Sequence, residues 1–178
     1  ITTPAVATLD GNQNWAHFGT SVANAGDINA DGYDDIVVGF ELFDGGQTDE
    51  GKIMIYHGNA TGINTIVAAQ IEGNQEAGSL GYDVAAAGDV NNDGYDDIIA
   101  GAYRYNNGEV DEGAAFIFHG TSSGINTTPA IVLDNDLPVA YFGLSVRGVG
   151  DFNLDGYDDV MVGSPLFSNG SPSEGRTY

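Results

Sequence analysis

The chain has 178 residues, of which 26 are acidic and 4 basic, giving a formal charge of −22, and it has 27 glycines and no cysteine. That balance excludes a nucleic-acid or anionic-membrane footprint, which needs clustered Lys and Arg; no apolar run reaches the roughly 18 residues of a bilayer span, and no disulfide framework can form. At 42% hydrophobic and 10% aromatic, the chain can nevertheless bury a core.

The elements predicted in chain order are short. The N-terminus, Ile1-Thr2-Thr3-Pro4, has neither an initiating Met nor a signal-peptide pattern, as expected of a processed or excised chain. Residues 5–10 read as a strand. Strands follow at Ser21-Val22-Ala23-Asn24-Ala25-Gly26, at Asp35-Ile36-Val37-Val38-Gly39, at Gly51-Lys52-Ile53-Met54-Ile55-Tyr56, and over residues 65–71. Each run is four to seven residues long, rich in β-branched or aromatic side chains, and bounded by Gly, Asn or Asp. None shows a sustained 3.6-residue period, which excludes helical arrays.

The whole pattern recurs at an offset of 62. Phe18-Gly19 falls on Leu80-Gly81 and Phe142-Gly143, Gly26-Asp27 on Gly88-Asp89 and Gly150-Asp151, Glu50-Gly51 on Glu112-Gly113 and Glu174-Gly175, and His57-Gly58 on His119-Gly120. Each repeat is therefore one supersecondary unit stacked on the next. Four antiparallel strands per repeat predict an all-β protein, a β-propeller of four-stranded blades. We expect a single unit or half-propeller over residues 1–178, with repeats at about 11–72, 73–134 and 135–178. The last is incomplete, and the strand at 5–10 supplies an outer strand to a blade.

Between the first and second strands lies Asp27-Ile28-Asn29-Ala30-Asp31-Gly32-Tyr33-Asp34-Asp35. Oxygen-bearing side chains stand at loop positions one, three, five and nine, and Gly at six makes the sharp turn. Calcium takes six to eight hard oxygens in a flexible shell, whereas softer metals prefer His or Cys. The expected ligands are the side chains of Asp27, Asn29, Asp31 and Asp35 with the Tyr33 carbonyl; then Asp89, Asn91, Asp93, Asp97 and the Tyr95 carbonyl; then Asp151, Asn153, Asp155, Asp159 and the Tyr157 carbonyl, three calcium sites in all. An EF-hand would need a bidentate Glu at position twelve, where Val38, Ala100 and Val162 stand. Asp34, Asp96 and Asp158, at position eight, are expected to face away from the ion, because successive residues entering a strand point to opposite sides. The loops hold 12 of the 26 acidic residues, so cation binding is expected to be linked to folding.

Phe-Gly-x-Ser-Val, then Gly-Asp-x-Asn-x-Asp-Gly-Tyr-Asp-Asp, then a short apolar strand, resembles the FG-GAP repeat of integrin α-subunit propellers and of many bacterial secreted proteins. Leu80 departs from the Phe, and the Gly-Ala-Pro element reads Gly39-Phe40, Gly101-Ala102-Tyr103 and Gly163-Ser164-Pro165. The resemblance implies a calcium-bearing, commonly seven-bladed propeller that acts in binding or adhesion in an extracellular or cell-surface setting.

Three blades fall below the usual four to eight. Two closures stay open: a head-to-tail homodimer giving six blades, or further blades of a longer chain. A protein or glycan ligand is expected on the face opposite the acidic loops, where Trp15, Phe43, Tyr103, Tyr105, Tyr141 and Phe167 lie in or beside variable connections. The rival reading is a lectin-like or enzyme-associated propeller. No Ser or Cys nucleophile is tied to a His, so catalysis is not expected. Asn59, Asn126 and Asn169 match the glycosylation acceptor pattern, as chance turns also would.

Overall fold

The computed structural model describes residues 7–178 and contains, among them, strands and turns but no helix. The first sheet orders β1 (Phe18–Gly26), β2 (Asp35–Phe40), β3 (Lys52–Tyr56) and β6 (Ala69–Glu72), all antiparallel. A second sheet repeats it with β7 (Asp83–Gly88), β8 (Asp97–Ala102), β9 (Ala114–Phe118) and β12 (Ile131–Leu133). A third has β13 (Ser145–Gly150), β14 (Asp159–Ser164) and the two-residue β15 (Arg176–Thr177). These are successive propeller blades.

The outer strands are shorter than their apolar runs suggest. Pairing begins at Ala69 rather than Thr65, because Ile66 and Val67 have nothing to pack against and lie exposed. Between third and fourth strands the chain makes a small hairpin that the hydrophobic pattern did not reveal: β4 (Gly58–Asn59) with β5 (Gly62–Ile63), and again β10 (Gly120–Thr121) with β11 (Gly124–Ile125). The strand expected over 5–10 begins on residues outside those described, and residues 7–10 belong to no strand.

The core lies between blades. Val84 and Val146 are buried, at 2% and 0% exposure, and Val37 and Ile99 are wholly buried, forming two clusters where adjacent sheets meet. The blades approach closely because glycine faces glycine. A Cβ on Gly39 would meet the Gly81 carbonyl oxygen at 2.0 Å, and one on Gly101 the Gly143 oxygen at 1.9 Å. The Gly81 N–H in turn donates to the Gly101 carbonyl (3.0 Å), and the Gly143 N–H to that of Gly163 (3.1 Å).

The same positions are uncovered at the two flanks. Val22, in register with Val84, is 67% exposed; Met161, in register with Val37 and Ile99, is 45% exposed. Gly19, the counterpart of Gly81, has nothing within 4 Å of an added Cβ. Both flanks thus have the chemistry of a blade interface.

Candidate cation loops

Each acidic loop is a tight turn built by its own carboxylates. In the first, Asp27 Oδ1 accepts the Asp31 N–H (2.9 Å) and Oδ2 the Gly32 N–H (2.8 Å), while Asn29 Oδ1 accepts the Asp31 N–H (2.9 Å) and Asp31 Oδ1 the Tyr33 N–H (3.0 Å). The second loop repeats all four bonds through Asp89, Asn91 and Asp93. In the third, Asp151 and Asp155 make the corresponding three. Gly32, Gly94 and Gly156 have φ of 91°, 91° and 94°, the left-handed turn that a side chain resists. These bonds gather Asp27, Asn29 and Asp31, and their counterparts apart from Asn153, into one turn, with lone pairs to spare.

Position nine lies at the foot of the loop, on the first residue of the second strand. Asp35 is fully buried: Oδ1 accepts the Gly58 N–H (2.8 Å), and Oδ2 has no hydrogen-bond partner. Burial pushes its pKa up, against the opposing pull of the Gly58 N–H and His57. Asp97 is equally buried and accepts from Gly120 (2.8 Å) and Val90 (3.1 Å); burial still pushes its pKa up to about 6. Asp159 Oδ2 accepts from Phe152 (3.0 Å) and Asn153 (3.3 Å). A carboxylate driven into the protein without enough donors is costly, and a hard cation in the turn above would supply the missing charge. The residues present fit calcium on that ground: all oxygen donors, one of them a buried orphan. The oxygens of Asp27, Asp31 and Asp35 do not all converge within 4.8 Å; among the described residues, only Glu112, Asp134 and Asp136 do so.

Position eight turns to the neighbouring blade. Asp96 Oδ2 accepts the N–H of Asp27 in the preceding loop (2.8 Å), and Asp158 Oδ2 that of Asp89 (3.0 Å). Asp34, which has no preceding loop within the chain, accepts from the Asn24 side chain instead (2.8 Å). The small hairpins add to this seam: the Thr121 N–H donates to the Ile28 carbonyl (3.1 Å).

Of the six aromatic residues expected to bind a ligand, Trp15 stands out at 86% exposure. Phe43 packs on Phe40 (5.2 Å), Tyr105 on Phe116 (5.1 Å), and Phe167 is buried beneath the Arg176 guanidinium (3.7 Å). Phe167 is therefore a support, while Phe43 and Tyr105 are half-buried against their neighbours. Tyr103 and Tyr141 are half-buried and joined by Tyr82, which sequence reasoning missed, at centroid separations of 5.3 Å and 4.6 Å.

Two further residues were visible only as repeated Glu-Gly pairs. Glu50 is fully buried and accepts from Asn74 N–H (3.0 Å) and Gln47 N–H (3.5 Å), so it ties the turn after β2 to the exit of β6. Glu112 is its counterpart, accepting from the Asn107 and Glu109 N–H groups at Oε1, while Oε2 is buried without a partner.

Three stretches of the chain, residues 18–56, 80–118 and 142–178, match the FG-GAP repeat model. The chain is 35% identical over 165 residues to integrin alpha-5 of Xenopus laevis, 38% over 157 residues to integrin alpha-6 of Homo sapiens, and 35% over 167 residues to integrin alpha-IIb of Mus musculus. Each alignment covers 88% of this chain but only 13 to 16% of the relative. The matched stretches coincide with the first three strands of each blade and with the acidic loops between them, and the chain belongs to the FG-GAP repeat family.

Proposed function

We propose that the chain is a calcium-stabilised, integrin-like propeller module for protein binding or adhesion outside the cell, without catalytic activity. The observation that carries the reading is the buried, unpartnered Asp35 Oδ2 beneath a turn of oxygen donors. Asp27, Asn29, Asp31, Asp35 and the Tyr33 carbonyl would hold one ion, and their counterparts in the other two blades would hold two more. When bound, the ion supplies positive charge where the carboxylates would otherwise repel one another. The loops' own hydrogen bonds position the ligands, and Asp96 and Asp158 keep adjacent loops aligned across the blades.

The ring is completed by other blades, from a second copy or from a longer chain. Support comes from Val22 and Met161, exposed at positions that are buried between the blades present. A partner protein would meet the face opposite the cation loops, where Trp15 and the Tyr82, Tyr103 and Tyr141 cluster lie. The similarity to integrin alpha subunits favours a protein ligand over a glycan.

The test is thermal unfolding with and without a calcium chelator. A cation present at a hundred times its Kd adds about 2.7 kcal/mol per site, which for a domain of this size corresponds to a fall of about 5 to 10 °C on removal of one ion. An unchanged melt with demonstrably metal-free protein would sink the reading. Mass in solution at millimolar calcium separates the closures: 18.5 kDa is one chain, and twice that is a closed pair.

A further inference from the structure

We infer that the second blade holds a further divalent cation at the end of the sheet opposite the acidic loops, between Glu112, Asp134 and Asp136. One carboxylate oxygen from each of the three lies within 4.8 Å of the other two. Glu112 is fully buried and its Oε2 has no hydrogen-bond partner. Asp134 Oδ2 accepts from the Asn107 side chain, and Asp134 Oδ1 accepts the Asp136 N–H (3.3 Å). Among the described residues, no Lys, Arg or His forms an ion pair with any of them. Like charges so close to a buried carboxylate need a counter-charge.

The other blades show what that counter-charge is elsewhere. In the first blade the equivalent positions are Glu50, Glu72 and Asn74. Lys52, itself buried, places Nζ 3.3 Å from Glu72 and 3.5 Å above the Phe43 ring, and the Asn74 N–H fills Glu50 Oε2 (3.0 Å). In the third blade Arg176 occupies the Lys52 position and lies over Phe167. In the second blade that position is Ala114, and Asn74 is replaced by Asp136. One positive side chain is lost and one negative side chain gained, a difference of two charges, which is what a divalent ion restores. The donors are all carboxylate oxygens, so the ion is a hard one of the calcium class.

The ion would also join parts of the chain. Glu112 ends the connection from β8 to β9, whereas Asp134 and Asp136 follow β12 on the way to the third blade. The same crossing carries the bonds Val139 N–H to Val110 carbonyl (2.8 Å) and Phe142 N–H to Glu112 carbonyl (2.7 Å). A cation here cross-links the second blade to the third.

The test counts calcium bound per chain by equilibrium dialysis at millimolar calcium, with circular dichroism to show that each protein is folded. The double variant Asp134→Asn/Asp136→Asn, which places at 136 the Asn found in the first blade, should bind one calcium fewer than the parent. Ala114→Lys, which rebuilds the first blade's arrangement, should do the same. Asp89→Asn, in a loop, should remove a separate equivalent and leave this one intact. If the acidic loops hold nothing, the parent binds one ion and the double variant none, which upholds this site while sinking the loop reading. Equal calcium in the folded parent and the folded double variant overturns the inference.

Discussion

Gly101→Ala places one methyl group between two blades that meet backbone to backbone. The added Cβ would lie 1.9 Å from the Gly143 carbonyl oxygen and 3.0 Å from its carbon, both backbone atoms that no rotamer change can move. Cβ atoms essentially never approach a heavy atom closer than 3.0 Å, so the second and third blades must separate locally by about 1 Å, an overpacking that costs about 2 to 4 kcal/mol. Replacing a strand Gly by Ala returns roughly 0.5 to 1 kcal/mol through the unfolded chain. The net loss of about 1 to 3.5 kcal/mol lowers Tm by about 2 to 14 °C for a domain of this length. Gly163→Ala is the internal control, since it is the same substitution at the equivalent position and its nearest contact is an ordinary 3.5 Å to the Ser145 Cβ. It should leave the melt unchanged or raise it slightly. Differential scanning calorimetry of both variants in saturating calcium decides the matter. A Gly101→Ala melt within 1 °C of the parent would refute the account of glycine contacts as the determinant of blade spacing. A Gly163→Ala loss as large as that of Gly101→Ala would show that the third blade's flank is covered in solution.

Three further outcomes are expected. Asp96→Ala removes a charge-assisted bond to the Asp27 N–H and should cost about 1.5 to 3 kcal/mol, whereas Asp34→Ala, whose partner is an exposed side chain, should cost under about 1 kcal/mol; urea titration of both variants compares them. Val84→Ala should cost about 1.5 to 3 kcal/mol, and Val22→Ala at the exposed flank close to none, and a similar loss in both would mean that Val22 is buried in solution. Lys52→Met removes the partner of Glu72 and the cation over Phe43; because the ammonium is buried, unfolding should show a loss of about 1 to 3 kcal/mol, and no change would mean that the pair contributes nothing.

What the sequence made legible was whatever repeats locally. Asp27 to Asp35 writes its turn within nine residues, and the 62-residue period announces the blades because each blade solves the same packing problem. Less legible was anything that depends on a partner far along the chain. That Asp96 faces away from its own loop follows from strand alternation, but its acceptor role toward Asp27, 69 residues earlier, could not be read from either segment alone. The hairpins at residues 58–63 and 120–125 carry no apolar alternation, being held by backbone pairing, and in the second by the bond from the Thr121 N–H to the preceding loop. The apolar stretch at residues 65–68 reads as strand by composition, but Ile66 and Val67 lie exposed and the chain joins the ladder only at Ala68, whose N–H donates to the Ile55 carbonyl (2.9 Å). Phe43 and Phe167 look like surface aromatics in sequence and prove to be platforms for Lys52 and Arg176.

The bonds from Asp96 to Asp27 and from Asp158 to Asp89 give the loops a direction. Asp96 sits between Tyr95 and Asp97, two proposed ligands of the second loop, and its side chain grips the first ligand residue of the loop before it. A cation that ordered one loop would therefore prepare its predecessor, and the bonds join the loops into a one-dimensional array of nearest neighbours. Cation uptake along such an array would be cooperative and would spread from blade to blade, so a closed ring would fill and empty over a narrower range of calcium concentration than its isolated loops.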